Sequence, residues 1–241
     1  MKRVFDFSIV DWISNGVDQD GFGKVSNLLP PSFERYIKIL MPICIDKKMP
    51  IKEYSYNTKS VEDLNKRVEF WNKYGVINGH PAKDRLERTS YKELSKELNI
   101  PYNKHIDTQT IWNIDKEWPP NLGSLLEKDI ETLKEIISIL GTTTPTFFFG
   151  DVLNGKGLHE NEEVVDWLFF GELSELTTVY IEQNQDFPSY FFAENKGWCF
   201  CHPEDQGFLL LGCGEELAKK IIKSESLECF EFTQQEQIIK E

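Results

Sequence analysis

Thr142-Thr143-Thr144-Pro145-Thr146-Phe147-Phe148-Phe149-Gly150 is the stretch at which the chain changes texture. After it, aromatic and β-branched residues come in short runs at 147–149, 167–170, 178–182, 190–192, 198–201, 208–211 and 229–232, separated by Gly, Pro and Asp. Such runs read as strands. One helix interrupts them, with Glu215 and Glu216 at its start and Lys219, Lys220 and Lys223 toward its end, the order that complements a helix dipole.

Upstream of the aromatic run the period is helical. Pro30-Pro31-Ser32 predicts a helix to about Leu40, with Phe33, Tyr36, Ile37 and Leu40 on one face. Ser60 with Asp63 starts a second helix whose stripe is Val61, Leu64, Val68 and Trp71, ending at Gly75. Ser90 with Glu93 and Ser124 with Glu127 are capping boxes for two more, the last running through Ile130, Leu133, Ile137 and Leu140 to Gly141. Helices first and strands later predict an α+β fold. Its N-terminal, mainly helical part (residues 1–141) packs on a C-terminal, mainly antiparallel sheet with one late helix (residues 142–241), the sheet being covered on one side.

The 241 residues include 27 basic and 40 acidic side chains, a net charge of −13. A generally basic nucleic-acid binder is excluded, because sequence-independent affinity for phosphates requires Lys and Arg to displace counterions. Residues 1–120 carry 19 basic and 17 acidic groups, whereas residues 121–241 carry 8 and 23. Between Asp151 and Glu194 ten acids face only Lys156. One reading is a solvated face that promotes solubility; the other is a surface that steers a basic protein partner. On the second reading Asp151, Glu160, Glu162, Glu163, Asp166, Glu172 and Glu175 are the partner-binding candidates. No apolar run approaches the ~20 residues that span a bilayer, and Met1-Lys2-Arg3-Val4-Phe5-Asp6 lacks the apolar core of a secretory signal. Five cysteines, an odd number, suit a reducing compartment, so the expected location is the cytoplasm.

Motifs that carry chemistry are near misses. Asp18-Gln19-Asp20 lacks oxygens at the third and twelfth positions of a calcium loop, which hold Phe22 and Leu29. Gly150-Asp151-Val152-Leu153-Asn154-Gly155-Lys156-Gly157 has Gly157 where a P-loop needs Ser or Thr to hold magnesium. Cys199 and Cys201, two apart, share one face of a strand and point into a core rather than at zinc. Cys201 and His202 face opposite ways, so they form no nucleophile and base as neighbours. His159-Glu160 lacks the second histidine of a zincin helix. The residues therefore assign no catalytic group, metal or cofactor. The aromatic runs cannot all face one side of a sheet, which leaves room for a partner or a second copy of the chain.

Two resemblances add to this. Leu28-Leu29-Pro30-Pro31-Ser32-Phe33-Glu34-Arg35-Tyr36-Ile37-Lys38-Ile39-Leu40-Met41-Pro42 resembles the P-x-G-F-x-x-Y-x-R-I-x-H-P opening of a bacterial family common in Gram-positive organisms. Residues 188–201, Gly212-Cys213-Gly214 and Leu227-Glu228 resemble that family's W-P-D-D-R-x-W-C-V strand and G-G-S helix start. Ser32, Lys38 and Met41 replace its glycine, arginine and histidine. The resemblance implies kinship and no chemistry. Leu29-Pro30-Pro31-Ser32-Phe33 is also similar to the helix start of the SUKH superfamily of immunity proteins, which implies a protein partner. Together these readings predict a non-enzymatic binding protein of immunity type whose acidic face takes a basic partner. The alternative is a small-molecule-binding protein or enzyme with Cys201, His202 or His159 at a pocket between the two parts. Assembly into a homo-oligomer is a third reading.

Overall fold

A computed structural model describes residues 1–56, 58–76, 80–150, 166–183 and 187–239. Its early strands are β1 (Lys2–Arg3), β2 (Arg35–Leu40), β3 (Ile43–Ile45), β4 (Gly75–Val76), β5 (His80–Pro81), β6 (Glu87–Thr89) and β7 (Leu122–Gly123). The later ones are β8 (Pro145–Gly150), β9 (Trp167–Glu172), β10 (Tyr190–Ala193), β11 (Trp198–Cys201), β12 (Phe208–Cys213) and β13 (Cys229–Phe232). The helices are α1 (Asp11–Ser14), α2 (Val61–Tyr74), α3 (Tyr91–Glu97), α4 (Thr108–Asp115), α5 (Leu126–Leu140), α6 (Leu176–Glu182) and α7 (Glu215–Lys223). The fold is α+β.

The chain forms two compact units: residues 1–40 with 130–241, and residues 41–129. This departs from a division at residue 141, because β1 and β2 pair with late strands. In the first unit, the sheet unit, the strands run β1-β9-β8-β10-β11-β12-β2-β13, every pair antiparallel.

Residues 35–40 form strand β2, not the expected helix. Tyr36, Ile37, Lys38, Ile39 and Leu40 are all buried, so both faces are covered and the apolar run fits either period. Ile37 and Ile39 then favour the strand. The helix start on which the SUKH likeness draws is therefore a turn into a strand, pinned where Tyr36 Oη donates to Pro30 O at 2.8 Å. Lys38 is fully buried and holds its ammonium 4.4 Å from the centre of the Phe208 ring.

The second difference is residues 178–182, which lie in helix α6. Leu176, Val179 and Tyr180 are its buried residues, a helical spacing that outweighs the β-branched composition.

The sheet is covered on both sides, not one. By register, Phe147, Phe149, Tyr190, Phe192 and Cys199 share a face, and Phe148, Phe191, Phe200 and Leu211 the other. The early segment lies on the first face. Trp12 packs edge-on at 5.4 Å from Phe192, and Phe33 covers Gly212, where a Cβ would come within 2.3 Å of its ring. On the other face, Cys229 Sγ points at Ile221 O of α7, and Ser224 Oγ donates to Glu135 of α5 at 2.7 Å. The end of the chain straps the early loop: Ser26 N–H donates to Gln234 O and Ile238 N–H to Gly23 O. Gly23 has φ +78° and leaves no room for a Cβ against Ile239 O.

The second unit holds β6-β3-β7, the β4–β5 pair and α2 to α4. Ser60 and Ser90 cap α2 and α3 as their sequences predict. The α2 stripe, however, faces outward: Val61, Leu64 and Val68 are 75%, 51% and 50% exposed, and Phe70 is the buried residue. Arg67 takes the inner side instead, bound to Ser55 O and Glu117. No helix among the described residues is long and apolar enough to cross a membrane.

Candidate functional site

Of the seven candidate acids, Asp151, Glu160, Glu162 and Glu163 lie outside the described residues. Asp166 precedes β9 and Glu172 closes it, so about 20 Å of extended strand separates them. They do not form one cluster. Glu175 is engaged: it accepts from the Met1 ammonium and from Glu172 N–H at 2.9 Å. The ammonium holds its carboxyl below the usual range. Glu172 and Glu175 thus fasten the corner between β9 and α6 to the first strand.

A second acidic group, not picked out from the sequence, surrounds Arg35. Because β2 pairs with both β12 and β13, Arg35 lies 3.1 Å from Glu231 and 3.6 Å from Glu215. Glu34 accepts from Glu215 N–H at 2.8 Å at the start of α7, and Lys219 reaches back to Glu215 and Glu216. Lys219 and Arg35 hold the Glu215 carboxyl below its usual range. Each exposed bridge stabilises little. Their effect is to partly neutralise this rim; Glu182, Glu204 and Glu225 are further exposed acids of the sheet unit.

The two units differ sharply in charge. Residues 1–40 and 130–241 carry 12 basic and 26 acidic side chains, net −14; residues 41–129 carry 15 and 14, net +1. The acidic excess therefore belongs to the sheet unit and not simply to the later half of the chain.

Cys44, Cys199, Cys201 and Cys213 are buried and Cys229 is half-buried. Burial raises the Cys199 thiol far above its ordinary value, Cys213 to about 12 and Cys229 to about 11. His202 packs 4.9 Å from the Phe187 ring, with Nε2 3.2 Å from Gln206 O. His159 lies outside the described residues. A thiol needs its thiolate to react, so at pH 8 the native protein is expected to show at most one reactive thiol, Cys229, toward a disulfide reagent. All five should react in denaturant. Rapid labelling of Cys199 or Cys201 in the native protein would contradict this burial. No group of three or more His, Cys, Asp or Glu side chains suited to a metal is present among the described residues.

The second unit has its own polar cluster. Tyr54 Oη donates to Glu117 at 2.6 Å, and Arg67 binds the other Glu117 oxygen at 2.9 Å while stacking on the Tyr54 ring. Burial, with Glu117 alongside, raises Tyr54 to about 12; burial, with Asp115 and Glu117, does the same for Tyr56. The fold favours both neutral phenols. Their contribution to stability is complete below the ordinary tyrosine value of about 10 and is lost as pH rises from there toward about 12. An ultraviolet titration should show at least three tyrosines ionising late, because burial also raises Tyr36, with Tyr54→Phe removing one of them. Ionisation of every tyrosine near pH 10 would contradict this packing.

The chain matches no family model, and no curated protein or solved structure is significantly similar to it.

Proposed function

We propose that this is a non-catalytic binding protein whose sheet unit takes a basic protein partner. The carrying observation is the charge partition, net −14 in the sheet unit against +1 in the other. Complementary charge steers encounter and raises association rates above the uncharged ~10⁵–10⁶ M⁻¹s⁻¹, while fixing orientation. The burial of the thiols supports a role without covalent catalysis. An immunity-type role toward a cationic toxin is the specific form of this reading.

The test is surface plasmon resonance against the products of neighbouring genes whose pI exceeds about 9. The expected result is binding to one of them, with an on-rate that falls at least about tenfold between about 50 and about 300 mM salt. Binding to none, or an on-rate indifferent to salt, would overturn the proposal.

A further inference from the structure

On one face of the sheet, beside the β1 edge, lies a groove of about 410 Å³. That volume is in the range of small-molecule sites, roughly 300–1,000 Å³. Its floor is the cross-strand pair Phe147 and Phe170, with ring centres 4.6 Å apart and both side chains half-buried. Val4, Phe5 and Ile9 form an apolar wall, and Phe5 is 77% exposed.

Four charged residues line the groove, and two are occupied. The Arg3 guanidinium lies over the Phe5 ring at 5.4 Å, and Asp6 accepts from Ser8 N–H and Oγ. Lys2 and Glu194 remain, with no side-chain hydrogen bond or ion pair among the described residues. Register sets them on opposite sides of the phenyl floor. Lys2 stands opposite Phe170 on β1, and Glu194 follows β10, its N–H bonded to Pro145 O. Three strand spacings across the sheet and two residues along it, about 16 Å in all, separate the two backbones. An extended tripeptide spans about 10 Å, and the long Lys and Glu side chains cover the remainder.

We infer that this groove binds a short apolar peptide as a zwitterion, its carboxylate toward Lys2, its ammonium toward Glu194 and its side chains on Phe147 and Phe170. A ligand of a single charge engages only one end of the groove. A dipolar ligand with an apolar centre satisfies both charges and the floor. This site goes beyond the acidic surface that steers a basic protein, since it presents both signs.

The test is titration of the ¹⁵N-labelled full chain with the tripeptide Leu-Phe-Leu, followed by NMR. The free peptide is expected to shift the backbone amides of Val4, Phe147, Phe170 and Glu194. Amidating its carboxylate should weaken binding about tenfold in the native protein and leave binding to Lys2→Gln unchanged. Acetylating its amine should do the same in the native protein and leave binding to Glu194→Gln unchanged. Gly-Gly-Gly should not bind. Equal binding of free and blocked peptides, shifts located elsewhere, or no binding of Leu-Phe-Leu would each overturn the inference. None of these results bears on the salt-dependent association with a basic protein.

Discussion

Phe200→Ala is expected to lower the unfolding free energy by about 3–5 kcal/mol. Phe200 has no exposed surface and stacks on Phe191 of the neighbouring strand, ring centres 4.4 Å apart and planes 6° from parallel. Trp198 closes the same site edge-on at 5.7 Å. Truncation removes the stacked ring and leaves a cavity walled by Phe191, Trp198 and the Leu211 strand, which the flanking ladders prevent from collapsing. Urea unfolding followed by tryptophan fluorescence measures the loss. Phe5→Ala serves as the control; it alters a mainly exposed ring and should change stability by less than about 0.5 kcal/mol. Similar losses for the two variants would contradict the assignment of the sheet core.

Asp46→Ala is expected to cost the second unit about 3 kcal/mol. Asp46 is fully buried directly after β3, where its N–H donates to Asn121 O. One carboxylate oxygen accepts from Lys48 N–H at 3.0 Å and the other lies 3.1 Å from Arg85 Nε. Arg85 also donates to Tyr74 O, so the pair ties β3 to the end of α2. Removing the carboxylate leaves a guanidinium in a site only one-third exposed and an unsatisfied backbone donor. Asp46→Asn keeps an acceptor for Lys48 and should lose less. Amide hydrogen exchange reads the effect: protection across β3, β6 and β7 should fall roughly a hundredfold in the alanine variant. Unchanged protection would show that the pair contributes nothing net.

The fold class was legible because its signals are local. The caps at Ser60 and Ser90 act within four residues, and the unbroken apolar runs at 198–201 and 208–211 match strands buried on both faces. Residues 35–40 and 178–182 were not legible. In the first, both faces are buried and the period is lost; in the second, packing of Leu176, Val179 and Tyr180 overrides propensity. The α2 stripe shows the converse, an apolar spacing that predicts the helix but not which side is covered.

The candidate site was legible only as a count of charges. Which acids are engaged depends on partners distant in the chain: Met1 for Glu175, and Arg35 for Glu231. The same holds for the groove, whose Lys2, Phe147, Phe170 and Glu194 meet only once β1 is placed beside β9. Burial of Cys199 and Cys201, by contrast, followed from their two-residue spacing.

On the proposed function, the acidity of the sheet unit, and not net charge as such, recruits the partner. Two triple variants separate these, each bringing the net charge from −13 to −10. One neutralises the exposed Glu182, Glu204 and Glu225 of the sheet unit to Gln; the other neutralises the exposed Glu69, Asp84 and Glu97 of the second unit to Gln or Asn. Stopped-flow association with the basic partner at low salt should slow several-fold for the first set and remain within experimental error for the second. Equal slowing by both sets, or none by the first, would contradict the account.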